Sequence, residues 1–346
     1  MLLWRLAARQ ASDTYHNSEI RLFFLVMGGI FVLAGLSLWQ GYATLKGPLQ
    51  QEQRVLIPHG ASTRDIAEIL VADEIVRFSY LFPAIAWLME PTATFKAGEY
   101  IFPEQVTPAE VVRILVSGKP HYRKVTITEG TTSFAAFSII RNTDGLVGEM
   151  PQLVSEGALF PDTYLFLYGD TRTALVKRMH KKMQQELDSL WKKRDNDLGY
   201  VYSKEIALTL ASIVEKEAAR DDERGRIAAV LINRLRKGMR LQSDPTVIYG
   251  ITQGKYELGR KLTRKDLKKE TPWNTYTSKN LPTSPISLPG RASLQAVLNP
   301  PKTDELFFVA DGEGGHFFSK SYDEHLRNVK KYRAITAAKK HINKLD

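Results

Sequence analysis

The sequence contains no cysteine. Disulfides, a thiolate nucleophile and a cysteine-ligated metal site are therefore excluded, while the compartment is left open, since cytosolic chains and disulfide-free exported domains both fit. Also missing are an HExxH pair, a Walker loop, a dinucleotide glycine fingerprint and a Ser-His-Asp order, so none of these motifs signals a metal, nucleotide or dinucleotide cofactor. There is no internal repeat and no low-complexity segment. The 346 residues, 43% hydrophobic, are enough for two or three folded units. Helix-turn-helix, zinc-finger and RNP-type aromatic patterns are absent as well. The net charge of +10, from 48 basic and 38 acidic residues, is spread along the chain, which reads as a solvated face and not as a nucleic-acid site.

One long apolar run is present. LFFLVMGGIFVLAGLSLWQG fills 22–41, and no charge lies between Arg21 and Lys46. That length crosses a bilayer as a helix. Arg5, Arg9 and Arg21 outnumber Asp13 and Glu19 before it, so the positive-inside rule places residues 1–21 in the cytoplasm and the bulk of the chain outside. Trp39 and Tyr42 suit the outer interface. The run exceeds a signal-peptide core and lacks a clear cleavage site, so an uncleaved span over 22–42 is expected, followed by a polar tether over 43–53.

From 54 to 120 the pattern changes to short elements. Val55–Pro58 reads as a strand, His59–Ser62 as a turn with Ser62 capping a helix faced by Ile66, Ile69 and Leu70, and Phe95–Phe102 as a second strand. Pro108–Ser117 reads as a helix stopped by Gly118. This predicts a small βααβ unit, and its I-P-x-G-x-S-x-x-x-I-A-x-x-L arrangement resembles a LysM module. That resemblance implies either a grip on N-acetylglucosamine-containing glycans or a scaffold without one. Further on, Phe160-Pro161-Asp162-Thr163-Tyr164 is a turn between aromatics, either a sugar-stacking rim or, more commonly, a packed corner. Thr173–Trp191 reads as a long basic helix with Lys177, Arg178, Lys181 and Lys182 toward water.

The densest information lies in Ser203–Arg220. Ile206, Leu210, Ile213 and Val214 recur at i, i+4, i+7 and i+8, one face of an amphipathic helix. At roughly 100° per residue, Glu217 falls about 20° from Ile206, inside the stripe, and Glu215 about 180° away, toward water. A carboxyl on an apolar face is disfavoured as an anion and holds its proton to higher pH, as a general acid needs. Glu217 is the catalytic candidate. Spacing alone leaves a second reading open, in which Glu217 bends out to water or pairs with Arg220 or Arg224. Arg224–Lys237 is a further helix ended by Gly238, and Arg240–Val247 reads as an extended or turn segment around Asp244 and Pro245. Thr271–Tyr276 and Asn280–Ile286, rich in prolines, aromatics and hydroxyls, read as a rigid wall of a carbohydrate cleft or an ordinary connection. Phe307–Asp311 and His316–Ser319 form a hairpin about Gly312–Gly315; a lone histidine such as His316 or His325 is more often structural than catalytic.

Several stretches are similar to the YceG-like family of membrane-anchored endolytic murein transglycosylases. They are Ala211–Glu217, Ile232-Asn233-Arg234-Leu235, Met239–Gly250, Asn274-Thr275-Tyr276 and Phe308–Gly312, together with the single amino-terminal apolar run. The resemblance covers nearly the whole chain. Trp273 departs from a usual tyrosine, and Pro282-Thr283-Ser284-Pro285 from a more glycine-containing turn. The resemblance implies an α+β fold: a LysM-like βααβ subdomain over 54–120 and a catalytic domain over 121–340, with a linking part to 200 and a core from 201. It implies that Glu217 protonates the oxygen between N-acetylmuramic acid and N-acetylglucosamine, then takes the proton of the muramic 6-hydroxyl as that oxygen attacks the anomeric carbon, leaving a 1,6-anhydro end. Gln242, Ser243, Asp244, Asn274 and Tyr276 are expected to hold the sugar or stabilise developing charge. Expected partners are peptidoglycan glycan strands, the membrane and peptidoglycan synthases, with nascent-strand termination as the role. Two other classes stay open: a hydrolytic muramidase using Asp244 or Glu215 as second carboxylate, and a non-catalytic glycan-binding scaffold.

Overall fold

The structure is a computed structural model that describes residues 2–342 apart from His59 and Ala93; the side chains of 1–21, Phe24 and 340–342 lie outside the description. His59 of the expected turn, and the charges of Arg5, Arg9, Asp13, Glu19 and Arg21, are therefore outside the described residues. The chain divides into two compact units, Met1–Tyr122 and Arg123–Asp346.

The first unit starts with one helix, α1 (Leu2–Thr44), of which Leu25–Thr44, with mean hydropathy 1.5, is long and apolar enough to cross a membrane. Then come β1 (Gln53–Ile57), α2 (Thr63–Ala72), α3 (Phe82–Met89), β2 (Gly98–Phe102) and α4 (Pro108–Ser117). The βααβ order is the expected one. β1 and β2 pair antiparallel, from Gln53 opposite Phe102 to Ile57 opposite Gly98. Val55 and Ile57 alternate into the core while Leu56 faces out, the period-two pattern of a half-buried strand. Capping boxes start two helices, Ser62 with Asp65 on α2 and Thr107 with Glu110 on α4, each reciprocally filling otherwise unpaired amide donors. Gly118 closes α4 in the left-handed region at φ 57°.

The segment expected as a polar tether is instead packed. Ala43 and Leu49 are buried in the core of this unit, and the Gly47 amide donates to the Val106 carbonyl at 3.1 Å. A Cβ at Gly47 would meet the carbonyl oxygens of Ile75 and Val106 at 2.6 Å, so only glycine permits that approach. The two buried apolar side chains outweigh the polar composition of the stretch.

The second unit runs β3 (Arg123–Thr126), α5 (Ser133–Arg141), β4 (Thr163–Phe166), α6 (Arg172–Lys192), α7 (Lys204–Glu217), a short 3₁₀ turn (Asp221–Glu223) and α8 (Arg224–Arg236). It continues with α9 (Asp244–Thr252), α10 (Arg264–Lys268), α11 (Arg291–Leu298), the hairpin β5 (Phe307–Ala310) and β6 (His316–Ser319), and α12 (Tyr322–Ile342). Two-stranded antiparallel ribbons β3–β4 and β5–β6 are the sheets of this unit among the described residues, so the unit is α+β with a helical centre.

That centre is α7. Leu210, Ile213 and Val214 pack with Ile227 and Leu231 of α8, Leu294 and Val297 of α11, and Met183, Leu187 and Leu190 of α6. Each such side chain stabilises the fold by roughly 1.5–3 kcal/mol. Every residue from Thr209 to Val214 is buried. The helix is thus enclosed on more than one side, and polar Ser212 is accommodated by hydrogen bonds: its hydroxyl accepts from Ile286 N–H at 3.0 Å, and its carbonyl accepts from Ser287 Oγ at 3.1 Å.

The Phe160–Tyr164 turn is a packed corner. Both rings are buried, Tyr164 donates to the Phe160 carbonyl at 2.7 Å, and Lys182 of α6 lies over both rings while binding Asp162. Lys182 therefore leaves the water face on which Lys177, Arg178 and Lys181 remain.

Candidate active site

α7 is capped by Ser203, whose hydroxyl accepts from the Ile206 amide at 3.3 Å, and ends at Glu217. Ala218 turns to extended backbone at ψ 110°, so the helix stops three residues before Arg220, and the Glu217 carboxyl sits at its carboxy-terminal end. The helix dipole is negative there and disfavours an anion. Burial does so more strongly: desolvation is the main cause holding the Glu217 carboxyl above the usual carboxylate range, with the charge of Asp244 adding to it. Three groups oppose the shift, namely a hydrogen bond from Ser243 and the charges of His316 and Arg234. The cations proposed as structural partners are engaged elsewhere, Arg220 with Asp222 at 2.8 Å and Arg224 with Glu215 at 2.8 Å.

Glu215 does not face water. Its side chain is 5% exposed; Oε1 accepts from Arg224 Nη1, and Oε2 accepts from the Gly290 amide at 2.9 Å. Small and hydroxylated residues of α7 pack as core alongside the aliphatic ones, so the face opposite the apolar stripe is also covered. With both oxygens occupied, Glu215 is unavailable as a second carboxylate.

Facing Glu217 is the segment 242–246. Ser243, 3% exposed, donates from Oγ to Glu217 Oε1 at 2.5 Å. Its position is fixed from two sides: its amide donates to Thr275 Oγ1 at 3.0 Å, and its carbonyl accepts from Thr246 Oγ1 at 2.6 Å. The hydroxyls of Thr246 and Thr275 lie 2.8 Å apart, and the Gln242 amide donates to the Thr275 carbonyl at 3.1 Å. Gln242 itself is held at φ 53°, a left-handed conformation costing a non-glycine residue on the order of 1 kcal/mol, and its side chain is exposed. Asp244 opens α9, a helix where the sequence suggested an extended or turn segment. Pro245 stands in its first turn, where the missing N–H has no partner to lose.

Asp244 and Tyr276 are joined. The phenol donates to Asp244 Oδ1 at 2.6 Å, and burial, that bond and the nearby carboxylates raise the phenol well above its ordinary range. Asn274 supports them from beneath: it is 1% exposed, its Nδ2 donates to the carbonyls of Leu267 (3.1 Å) and Lys269 (2.7 Å), and its Oδ1 accepts from the Tyr276 amide at 2.8 Å. Trp273 donates to Ser284 Oγ at 2.9 Å and meets Tyr249 edge-on at 5.4 Å.

Two groups escaped sequence reasoning about the site. Arg234 of α8 is 8% exposed, yet its guanidinium is held by backbone oxygens, those of Leu306 at 2.6 Å and Leu241 at 2.7 Å, and by the Phe307 face at 5.2 Å. The sequence signal was present: Arg234 occupies the i+7 position of the stripe that starts at Ile227. His316 is aimed by Glu223, which accepts from its backbone amide at 2.9 Å and lies 2.7 Å from its Nδ1. No cluster of metal-ligating side chains occurs among the described residues.

Fold and site together define an α+β protein with the desolvated carboxyl of Glu217 at the end of α7, facing Ser243. The chain belongs to the YceG-like family, whose model matches residues 55–331. It is 30% identical over 344 residues to the endolytic murein transglycosylase of Bacillus subtilis (strain 168), covering 89% of this chain and 91% of that one. The endolytic murein transglycosylase of Streptococcus pneumoniae serotype 2 is 26% identical over 325 residues, which are 79% of this chain and 57% of that longer protein. A solved YceG-like protein of Listeria monocytogenes is 30% identical, with a TM-score of 0.49 over 80% of this chain and 99% of that one.

Proposed function

We propose that this chain is a membrane-anchored lytic transglycosylase that cuts peptidoglycan strands internally between N-acetylmuramic acid and N-acetylglucosamine. The observation that carries the reading is the Glu217 carboxyl, desolvated, bonded to a neutral hydroxyl and lacking a cationic partner at bonding distance among the described residues, in a chain whose relatives are named endolytic murein transglycosylases. In the first step the bond between the muramic anomeric carbon and the bridging oxygen breaks, and the Glu217 proton goes to that oxygen. Ser243 then donates to the new carboxylate and limits the cost of its charge. In the second step the muramic 6-oxygen bonds to the anomeric carbon and its proton passes to Glu217, so the acid is regenerated and no water is consumed.

Gln242 and Asp244, the exposed members of the facing segment, are the sugar contacts in this reading; Tyr276 orients Asp244, and Asn274 fixes Tyr276. The βααβ unit serves as the LysM-like subdomain. α1 is the single-pass anchor, with residues 1–21 cytoplasmic and the catalytic unit outside, which suits termination of nascent strands beside peptidoglycan synthases.

The test is mass spectrometry of muropeptides released from purified peptidoglycan by the full chain, with Glu217→Gln in parallel. Anhydro ends from wild type alone support the reading. Because the charge of Asp244 reaches Glu217, a second reading is a muramidase with Asp244 activating water, and reducing ends would establish it.

A further inference from the structure

The first unit exposes an apolar surface that its fold leaves uncovered. Between Arg77 and Glu90 the sequence FSYLFPAIAWLM carries no charge. Three of its residues are core: Phe82, Ile85 and Ala86 are buried. Others point out, with Phe78 43%, Tyr80 72%, Trp87 66% and Leu88 41% exposed. Ala84, Trp87 and Leu88, at i, i+3 and i+4, share the outward face of α3, and Tyr80 precedes Ala84 by one turn's spacing.

This surface is continuous with the outer end of α1. The helix stands largely exposed as far as Leu38, but Trp39 and Tyr42 pack against the core of the unit and Ala43 is buried in it. Tyr42 is bound to residue 78 in both directions: its hydroxyl accepts from the Phe78 amide at 3.2 Å and is 3.3 Å from the Phe78 carbonyl. The rings of Tyr42 and Phe78 are 5.9 Å apart, and those of Phe78 and Tyr80 5.8 Å.

Helix length then sets the depth of the surface. At 1.5 Å per residue the stretch from Leu22 to Leu38 reaches about 26 Å, short of the roughly 30 Å hydrocarbon thickness. The part of the unit gripping Trp39 and Tyr42 is therefore drawn down to the headgroup boundary, where tyrosine and tryptophan are favoured. Exposed Arg77, beside Phe78, is placed for lipid phosphates.

We propose that the first unit lies on the bilayer, with Phe78, Tyr80 and the Trp87–Leu88 face of α3 inserted in the outer interfacial layer beside the anchor. The occupant of the apolar surface is lipid. The inference rests on the reading of α1 as a membrane anchor and adds a second contact to it, one that fixes the orientation of the unit at the membrane in place of a free swing on a tether.

Because the chain has no cysteine, nitroxide labels can be placed singly on Tyr80→Cys and Leu88→Cys. Leu33→Cys in the span serves as lipid reference, and Glu68→Cys, exposed on α2, as water reference. Each full-length variant is reconstituted in phosphatidylethanolamine–phosphatidylglycerol vesicles, and collisions with oxygen and with a polar nickel chelate are measured. The expected oxygen-to-nickel ratio at 80 and 88 is several-fold above that at 68. Labels 80 and 88 as open to nickel as label 68, with label 33 in lipid, would overturn the docking and leave the anchor standing. Nickel access at label 33 as well would overturn the anchor itself. Shielding of 80 and 88 from both reagents would put a protein on the surface in place of lipid and overturn the proposal.

Discussion

The Ser243 hydroxyl points at Glu217, donating to its Oε1 at 2.5 Å, and it is the neutral counterweight to the desolvation of that carboxyl. The bond favours the anion, so it matters most after the proton has left. Ser243→Ala is expected to lower kcat by about 10- to 100-fold, the worth of a hydrogen bond to a charged group. It also removes an effect that lowers the pKa of Glu217. A general acid works protonated, so the alkaline limb of the rate profile reports that pKa and should move to higher pH in Ser243→Ala. A limb that stays in place or moves to lower pH would show that the bond does not act on the ionisation.

Glu217 also makes a prediction about stability. Its folded pKa lies above the unfolded value, so the folded state binds the extra proton; the contribution is fully present below the unfolded value near pH 4 and is lost as pH rises through the folded pKa. Glu217→Gln removes that liability. Its thermal midpoint should exceed that of wild type at neutral pH, with the gap closing as pH falls toward 4. The variant is then inactive and more stable together, as expected where an active site is held at a cost in stability.

Glu215, two residues away, should behave in the opposite manner. Its carboxylate and the Arg224 guanidinium, 5% and 12% exposed, neutralise each other in the interior, with Asp221 giving Arg224 a second, exposed partner. Glu215→Gln leaves a largely buried cation and is expected to cost about 3 kcal/mol in denaturant unfolding. Activity per folded molecule should fall far less than in Glu217→Gln. Pairing the change with Arg224→Met should recover much of the loss, and a double variant as unstable as the single one would mean that packing, and not charge, is at stake.

The contrast between these two glutamates marks how far the sequence carries. The aliphatic period of Ile206, Leu210, Ile213 and Val214 is enough to put Glu217 in a desolvated place, because helical phase is a local property. It misplaces Glu215, because Ala207, Thr209, Ala211 and Ser212 are also buried, and the groups that cover this helix include, besides the adjoining α8, Ile286, Ser287 and α11, some 75 residues along the chain. The cap at Ser62 and the stops at Gly118 and Gly238 were legible for the same local reason. α9 was not: Pro245 looks like a break until it is seen in a first turn. The same limit hides Glu223 behind His316, a pair 93 residues apart, whereas Arg234 was within reach, since a cation on the Ile227–Leu231 stripe has to be satisfied inside the fold.

Asp244 separates the two chemistries. If it activates water, Asp244→Asn removes the attacking base, and reducing ends disappear with the activity. In the transglycosylase reading the 6-hydroxyl of the sugar is the nucleophile and Glu217 its base, so Asp244→Asn slows turnover, on the order of 10- to 100-fold, while the remaining product keeps anhydro ends. Tyr276 donates to Asp244 Oδ1, so Tyr276→Phe frees that oxygen without removing the charge. A change felt through Asp244 alone would make Tyr276→Phe silent in the Asp244→Asn background, and muropeptide analysis of the two single variants and the double variant measures this directly. Additive losses would instead give Tyr276 a sugar contact of its own.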